Sequence, residues 1–154
     1  MRVFSIASSN ASIPINMEAC DKKLGVSPKV YSLSIPLGAT INMDGTVIFL
    51  AVFSLALARS FGVSVSASML TGLAMTIIVL SIGAPGVPGG VVICLSALLT
   101  QLGVPVEAVG LVLGIGPIVG MFLALSNCLG DVVVTSIVAK SEKMMDMVTF
   151  LQKE

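Results

Sequence analysis

Residues 36–46, Pro-Leu-Gly-Ala-Thr-Ile-Asn-Met-Asp-Gly-Thr, sit in the middle of an apolar run from about Tyr31 to Ala58. As a helix rising ~1.5 Å per residue, that run is long enough to cross a hydrocarbon core of ~30 Å. Its centre nevertheless carries Gly38, Thr40, Asn42, Asp44, Gly45 and Thr46, where a lipid-facing helix would carry leucine or valine. A helix broken into two halves by an unwound centre satisfies both facts. Irregular backbone at membrane depth is tolerated only where protein or a cavity covers it.

The rest of the chain agrees with a membrane setting. Hydrophobic residues make up 56% and charged residues 10% of the 154, and mean hydropathy is +1.09; too few polar residues alternate with the apolar ones to give each element a wet face. Of the charged residues, only Asp44, Arg59, Glu107 and Asp131 fall between Tyr31 and Ala139. Eight basic and eight acidic residues balance, and histidine is absent, so the chain has no basic footprint for nucleic acid. Cys20, Cys94 and Cys128 are far apart and lack metal-ligand spacing, which marks them as small core side chains. The opening MRVFSIASSN is broken by Ser8, Ser9 and Asn10 and does not read as a signal peptide.

Beyond Arg59, two short apolar arms, 69–82 and Val92 to Leu102, flank SIGAPGVPGG (81–90). Each arm falls short of the ~20 residues of a full crossing. A re-entrant helical hairpin with a Gly/Pro tip fits them, and two short tilted crossings are the alternative. The last apolar run, Ala108 to Ala139, exceeds one crossing, and Pro117 within GIGP (114–117) predicts a bend there. Lys22, Lys23 and Lys29 before the first span and Lys140 and Lys143 after the last place both flanks on the cytoplasmic side.

Asp44 and Asp131 are the pivotal residues. Facing lipid at mid-helix, each would cost at least ~2.5–3.5 kcal/mol, so each requires a compensating protein or aqueous environment. Asn127 and Asp131, four apart, share a helical face. Two carboxylates, the amides of Asn42 and Asn127 and freed carbonyls make an all-oxygen neighbourhood suited to a hard monovalent cation such as sodium. A protonated aspartate serving a proton relay, or simple pairing with other parts of a larger protein, are the competing readings. Ser8 and Ser9, and the tip Gly86, Val87, Pro88 and Gly89, supply hydroxyls and loosely tied N–H groups for a substrate carboxylate, or small residues for close packing.

PLGATINMDGT (36–46), SIGAPGVPGG (81–90) and NCLGDVVVTSIVAKSE (127–142), in this order and spacing, resemble the dicarboxylate/amino acid:cation symporter family of the glutamate-transporter type. SSNASIPINM (8–17) is similar to the tip and second arm of that family's first re-entrant hairpin. The resemblance implies an all-α membrane protein of discontinuous transmembrane helices and re-entrant helical hairpins. This chain would be the C-terminal part of a mobile transport domain. Its parts would be the first hairpin's tip and second arm (1–17), a cytoplasmic connector (18–30), the broken helix (31–59), a second re-entrant hairpin (66–103), a final transmembrane helix (107–140) and a cytoplasmic tail (141–154). Upstream transmembrane helices would complete it as a homotrimer in the cell (inner) membrane, and the chain alone would not transport.

Matched residue by residue, the resemblance implies one sodium site from the backbone of Gly38 and Asn127 with the side chains of Asn42 and Asp131. Backbone oxygens of Thr40, Ser81, Ile82 and Ala84 would form a second, and Asn42 with Asp44 would contribute to a third. Ser9, Thr46, Gly86, Val87 and Asn127, with Ser8 beside them, would contact substrate; Met43 would link ion occupancy to tip closure, and Pro88 and Gly89 would shape the gate. Sodium would be the coupling ion, with no other cofactor and no enzymatic chemistry. The departures bear on specificity: Gly120, Leu123 and Ala124 stand where acidic-amino-acid transporters place an aspartate, an arginine and a threonine, and Ala7 stands where an arginine sometimes sits. Leucine cannot replace a bidentate arginine–carboxylate pair. The expectation is therefore sodium-coupled symport of a small amino acid or carboxylate other than glutamate or aspartate. Proton coupling, or a degenerate binding module that no longer cycles, stands as the alternative.

Overall fold

A computed structural model describes residues 2–84 and 86–152; Met1 of the first hairpin segment, Pro85 of the second tip, and Lys153 and Glu154 of the tail lie outside them. The chain opens with α1 (Arg2–Ile6), turns at Ala7, whose φ is 52°, and continues as α2 (Ile13–Lys22). Helix α2 runs beyond residue 17, where the hairpin arm was expected to end. An i,i+4 ion pair, Lys22 Nζ to Glu18 Oε1 at 2.9 Å, supports its last turn.

Helix α3 (Pro28–Ile41) starts three residues before the apolar run, because the Ser27 side chain accepts the Lys29 N–H and Pro28 needs no N–H partner in the first turn. It stops at the expected break. Asn42 (φ −99°, ψ 84°) and Met43 (φ −111°, ψ 53°) leave helical geometry, and α4 (Asp44–Ser60) resumes at once. Together Pro28–Ser60 is long and apolar enough to cross a membrane.

Helices α5 (Ala67–Gly83) and α6 (Gly90–Gln101) form a helical hairpin around the Gly/Pro tip. At 17 and 12 residues they reach roughly 25 and 18 Å, each short of the ~30 Å core. A 3₁₀ turn (Val106–Val109) and α7 (Gly110–Leu113) follow. The run 108–139 is not one helix: it restarts at Gly116, with Pro117 in the first turn of α8 (Gly116–Ser141), where proline's missing N–H does no harm. The short α9 (Met147–Leu151) ends the described chain.

Helix α8 is the central strut, packed against α1, α2, α3 and α4. Its buried residues, Ala124, Asn127, Cys128, Asp131, Thr135 and Ala139, recur every three or four positions and so line one face. The main core joins Phe49, Leu50 and Leu57 of α4 with Leu73 and Ile77 of α5 and Leu95, Leu98 and Leu99 of α6. A smaller cluster of Cys20, Val26, Ile35 and Ala139 closes the end where α2 turns into α3. The three cysteines are buried and unpaired, as small core side chains.

The outer faces are as apolar as the core. Leu33 and Ile93 are 71% exposed, Val79 67% and Ile137 62%. Water does not suit such a surface, and hydrocarbon or further transmembrane protein does. The fold is that of an all-helical membrane protein.

Candidate functional site

The break between α3 and α4 sits against the polar stripe of α8. At such a break the last carbonyls of α3 and the first N–H groups of α4 lose their intrahelical partners. Helix α8 supplies replacements. The Asn127 side-chain oxygen accepts the Gly45 N–H at 2.8 Å, capping α4 from a different helix. Its amide nitrogen points to the Met43 sulfur at 3.2 Å and the Thr46 hydroxyl at 3.5 Å. One side chain thus holds three members of the break.

One turn further along α8, Asp131 Oδ1 accepts from Asn42 Nδ2 at 2.9 Å. Asp131 is 2% exposed, and its Oδ2 is buried with no hydrogen-bond partner among the described residues. A buried carboxylate with one free oxygen demands a cation, a proton or a donor.

Two glycines make room for this carboxylate cluster. A Cβ on Gly38 would run into the Asp131 carboxyl group, and one on Gly130 would lie 2.5 Å from Asp44 Oδ2 and 2.7 Å from Asn42 Nδ2. Gly38, Asn42 and Asp131, expected in one ion site, and Asp44, expected with Asn42 in another, thus lie around one point, with Gly130 beside them. Gly130 has no side chain to announce a role; its only sequence signal is a small residue beside the key aspartate. Asp44 differs from Asp131 in being exposed. It begins α4, where the helix N-terminus favours a carboxylate without burial.

Thr40, Ser81, Ile82 and Ala84 are less closely joined. Helix α3 packs on α5, but the Thr40 hydroxyl donates to Leu37 O at 2.7 Å and the Ser81 hydroxyl to Ile78 O at 2.9 Å, each within its own helix. No hydrogen bond links Thr40 to Ser81 or Ala84 among the described residues.

The expected substrate residues converge. Ser8, Ser9, Met43, Thr46, Gly86, Val87, Pro88, Gly89 and Asn127 all line one cavity of about 40 Å³. That volume admits water-sized occupants, because the two tips are shut against each other. Ser8 Oγ donates to Gly86 O at 2.7 Å, and the Asn10 N–H approaches the same oxygen at 3.4 Å. Ala7, Gly120, Leu123 and Ala124 line the same cavity.

Sequence reasoning passed over a second polar group behind the site. Ser12, just before α2, and Asn16 within it are buried, and both lie with Ser9 near Cys128 of α8. Their i,i+4 spacing on an amphipathic arm was the available signal.

A helix broken opposite the buried Asp131 of α8, capped from that neighbouring helix and roofed by the Ser8–Ser9 and Gly86–Gly89 turns, defines a polytopic membrane protein with a polar site in its interior. The chain belongs to the sodium:dicarboxylate symporter family, whose match covers residues 1–141. It is 33% identical over 138 residues to excitatory amino acid transporter 3 of Mus musculus, covering 90% of this chain and 26% of that protein. An excitatory amino acid transporter of Caenorhabditis elegans is 35% identical over 132 residues, 86% of this chain and 26% of the relative. The chain thus spans about a quarter of the length of the curated relatives it matches.

Proposed function

We propose that this chain forms the ion- and solute-binding part of a sodium-coupled symporter in the cell membrane. In this reading it works within a longer, homotrimeric protein whose upstream helices complete the bundle, with both flanks cytoplasmic and the α5–α6 hairpin re-entrant. The observation that carries the reading is the free, buried Oδ2 of Asp131 beside the helix break. Sodium, a substrate here rather than a resident cofactor, satisfies that oxygen together with carbonyls released at the end of α3.

Coupling follows from shared residues. A cation at Asp131 fixes Asn42, which opens the break; Asn127 holds Gly45, Met43 and Thr46 on the solute side of the same break. Ordering the break for the ion also orders the cavity wall, so each ligand favours the conformer that the other needs. The tip at Gly86–Gly89 then shuts on Ser8, with the backbone of Ser81, Ile82 and Ala84 drawn towards Thr40 as a second ion site.

The solute carries a carboxylate for the tip amides and Asn127 but lacks a second one. Ala7, Gly120, Leu123 and Ala124 offer no charge to an acidic side chain. The names of the relatives describe excitatory amino acid transport by those proteins; the cavity wall here supports a different, less polar solute.

Uptake by the full-length protein in proteoliposomes tests this, with labelled neutral amino acids, monocarboxylates, aspartate and glutamate under separate inward sodium and proton gradients. Sodium-driven accumulation of a solute outside the acidic pair is expected. Accumulation driven by protons alone assigns Asp131 Oδ2 a proton instead, and tight aspartate uptake overturns the specificity.

A further inference from the structure

Helices α3 and α8 meet along one seam in opposite directions. Asn127 of α8 holds Met43, Gly45 and Thr46 at the break; Asp131, one turn on, meets Asn42 and Gly38; Thr135, a further turn on, meets Ser34. Ser34, Gly38 and Asn42 are four apart on α3, as Asn127, Asp131 and Thr135 are on α8. The polar positions of each helix therefore share a face and recur about every 6 Å along it.

The Ser34–Thr135 rung lies outside the cation and solute residues assigned above. Thr135 is 1% exposed and Ser34 half-buried, and their hydroxyl oxygens stand 2.8 Å apart, either one able to donate. Among the described residues it is the one side-chain hydrogen bond between α3 and α8 besides that of Asn42 to Asp131. Towards Lys140 the two helices share an apolar cluster that includes Ile35 and Ala139.

Apolar contacts of that kind attract without fixing direction, whereas a hydrogen bond weakens steeply once its geometry is lost. The Asp131 carboxyl depends on a fixed register. It fills the space that a Cβ on Gly38 would take, and its Oδ1 accepts from Asn42 Nδ2 at 2.9 Å. A slide of α8 along α3 carries the carboxyl out of the Gly38 gap and away from Asn42. Thr135 is one turn from Asp131 and Ser34 one turn from Gly38, so a tie between them restrains that slide next to the carboxyl.

We propose that Ser34 and Thr135 are a positioning pair: their hydrogen bond pins the register of α3 against α8 and so sets the affinity of the Asp131 site for its cation. The pair acts through Asp131, and the inference rests on the reading of Asp131 as a cation site.

Sodium binding to the full-length protein in detergent tests both, read as the rise of the thermal-unfolding midpoint with sodium at an ionic strength held constant with choline. Thr135→Val keeps the side-chain shape and removes the hydroxyl; Ser34→Ala removes its partner. Each should displace the rise to about threefold higher sodium or more, the scale of one interhelical hydrogen bond in a membrane protein. The double variant should be displaced no further than the larger single, because the same bond is lost in all three, and Thr135→Ser should restore the unmodified curve. An undisplaced sodium curve in both single variants, whatever their midpoint in choline, means a packing role and overturns the pin. An additive double variant, or a Thr135→Ser curve that matches that of Thr135→Val, overturns it as well. No rise with sodium in the unmodified protein overturns the cation site itself, and the pin with it.

Discussion

Gly130 shows how far a site of this kind depends on atoms that are absent. Its missing Cβ is the space in which Asp44 Oδ2 and Asn42 Nδ2 sit, so Gly130→Ala should raise the sodium concentration for half-maximal uptake about tenfold or more, equivalent to ~1.4 kcal/mol. Gly114→Ala, where a Cβ meets nothing within 4 Å, should leave it unchanged. An equal effect of both substitutions in a sodium titration would detach the cluster from ion binding. The cavity wall makes the second prediction at this scale. Introducing Gly120→Asp and Leu123→Arg together puts a carboxylate and a guanidinium into the lined cavity, and aspartate should then compete with the native solute at least about tenfold better than it does against the unmodified protein. No gain in competition would mean that these two positions do not set the preference.

At the scale of elements, the α3–α4 break was legible because Gly, Thr, Asn and Asp interrupt an apolar run, and the structure breaks within that stretch, at Asn42 and Met43. The restart of α8 at Gly116 was legible as a bend at Pro117, which marks a helix start as readily as a kink. Less visible was what holds the break. Asn127 capping Gly45 spans 82 residues of sequence, and spacing rules reach only a few residues along one helix. Asn127→Ala leaves the Gly45 N–H without its partner and should lower stability by about 1 kcal/mol, as cap removal does elsewhere, read as a lower midpoint of thermal unfolding in detergent. An unchanged midpoint would mean that the break is held by other contacts. The tips make a complementary prediction. Ser8→Ala removes the bond to Gly86 O, worth about 0.5–1.5 kcal/mol, so a cysteine at Val87 should react with thiol reagents several-fold faster without added ligands. An unchanged rate would show that the tip is held shut by packing alone.

For the molecule as a whole, composition and the positions of Asp44 and Asp131 were enough to place the chain in a membrane and to nominate its interior site. What was not legible is steric or long-range: Gly130 as the space beside Asp44 and Asn42, and the Asn127 side chain as the cap on Gly45. In the proposed function Asp131 is the centre on which ion binding, the helix break and tip closure all depend. The most direct test compares sodium-driven solute uptake by the full-length protein with that of Asp131→Asn, inserted at equal amounts in the same vesicles. The account predicts that the variant needs at least about tenfold more sodium for half-maximal uptake; an unchanged sodium dependence would contradict it.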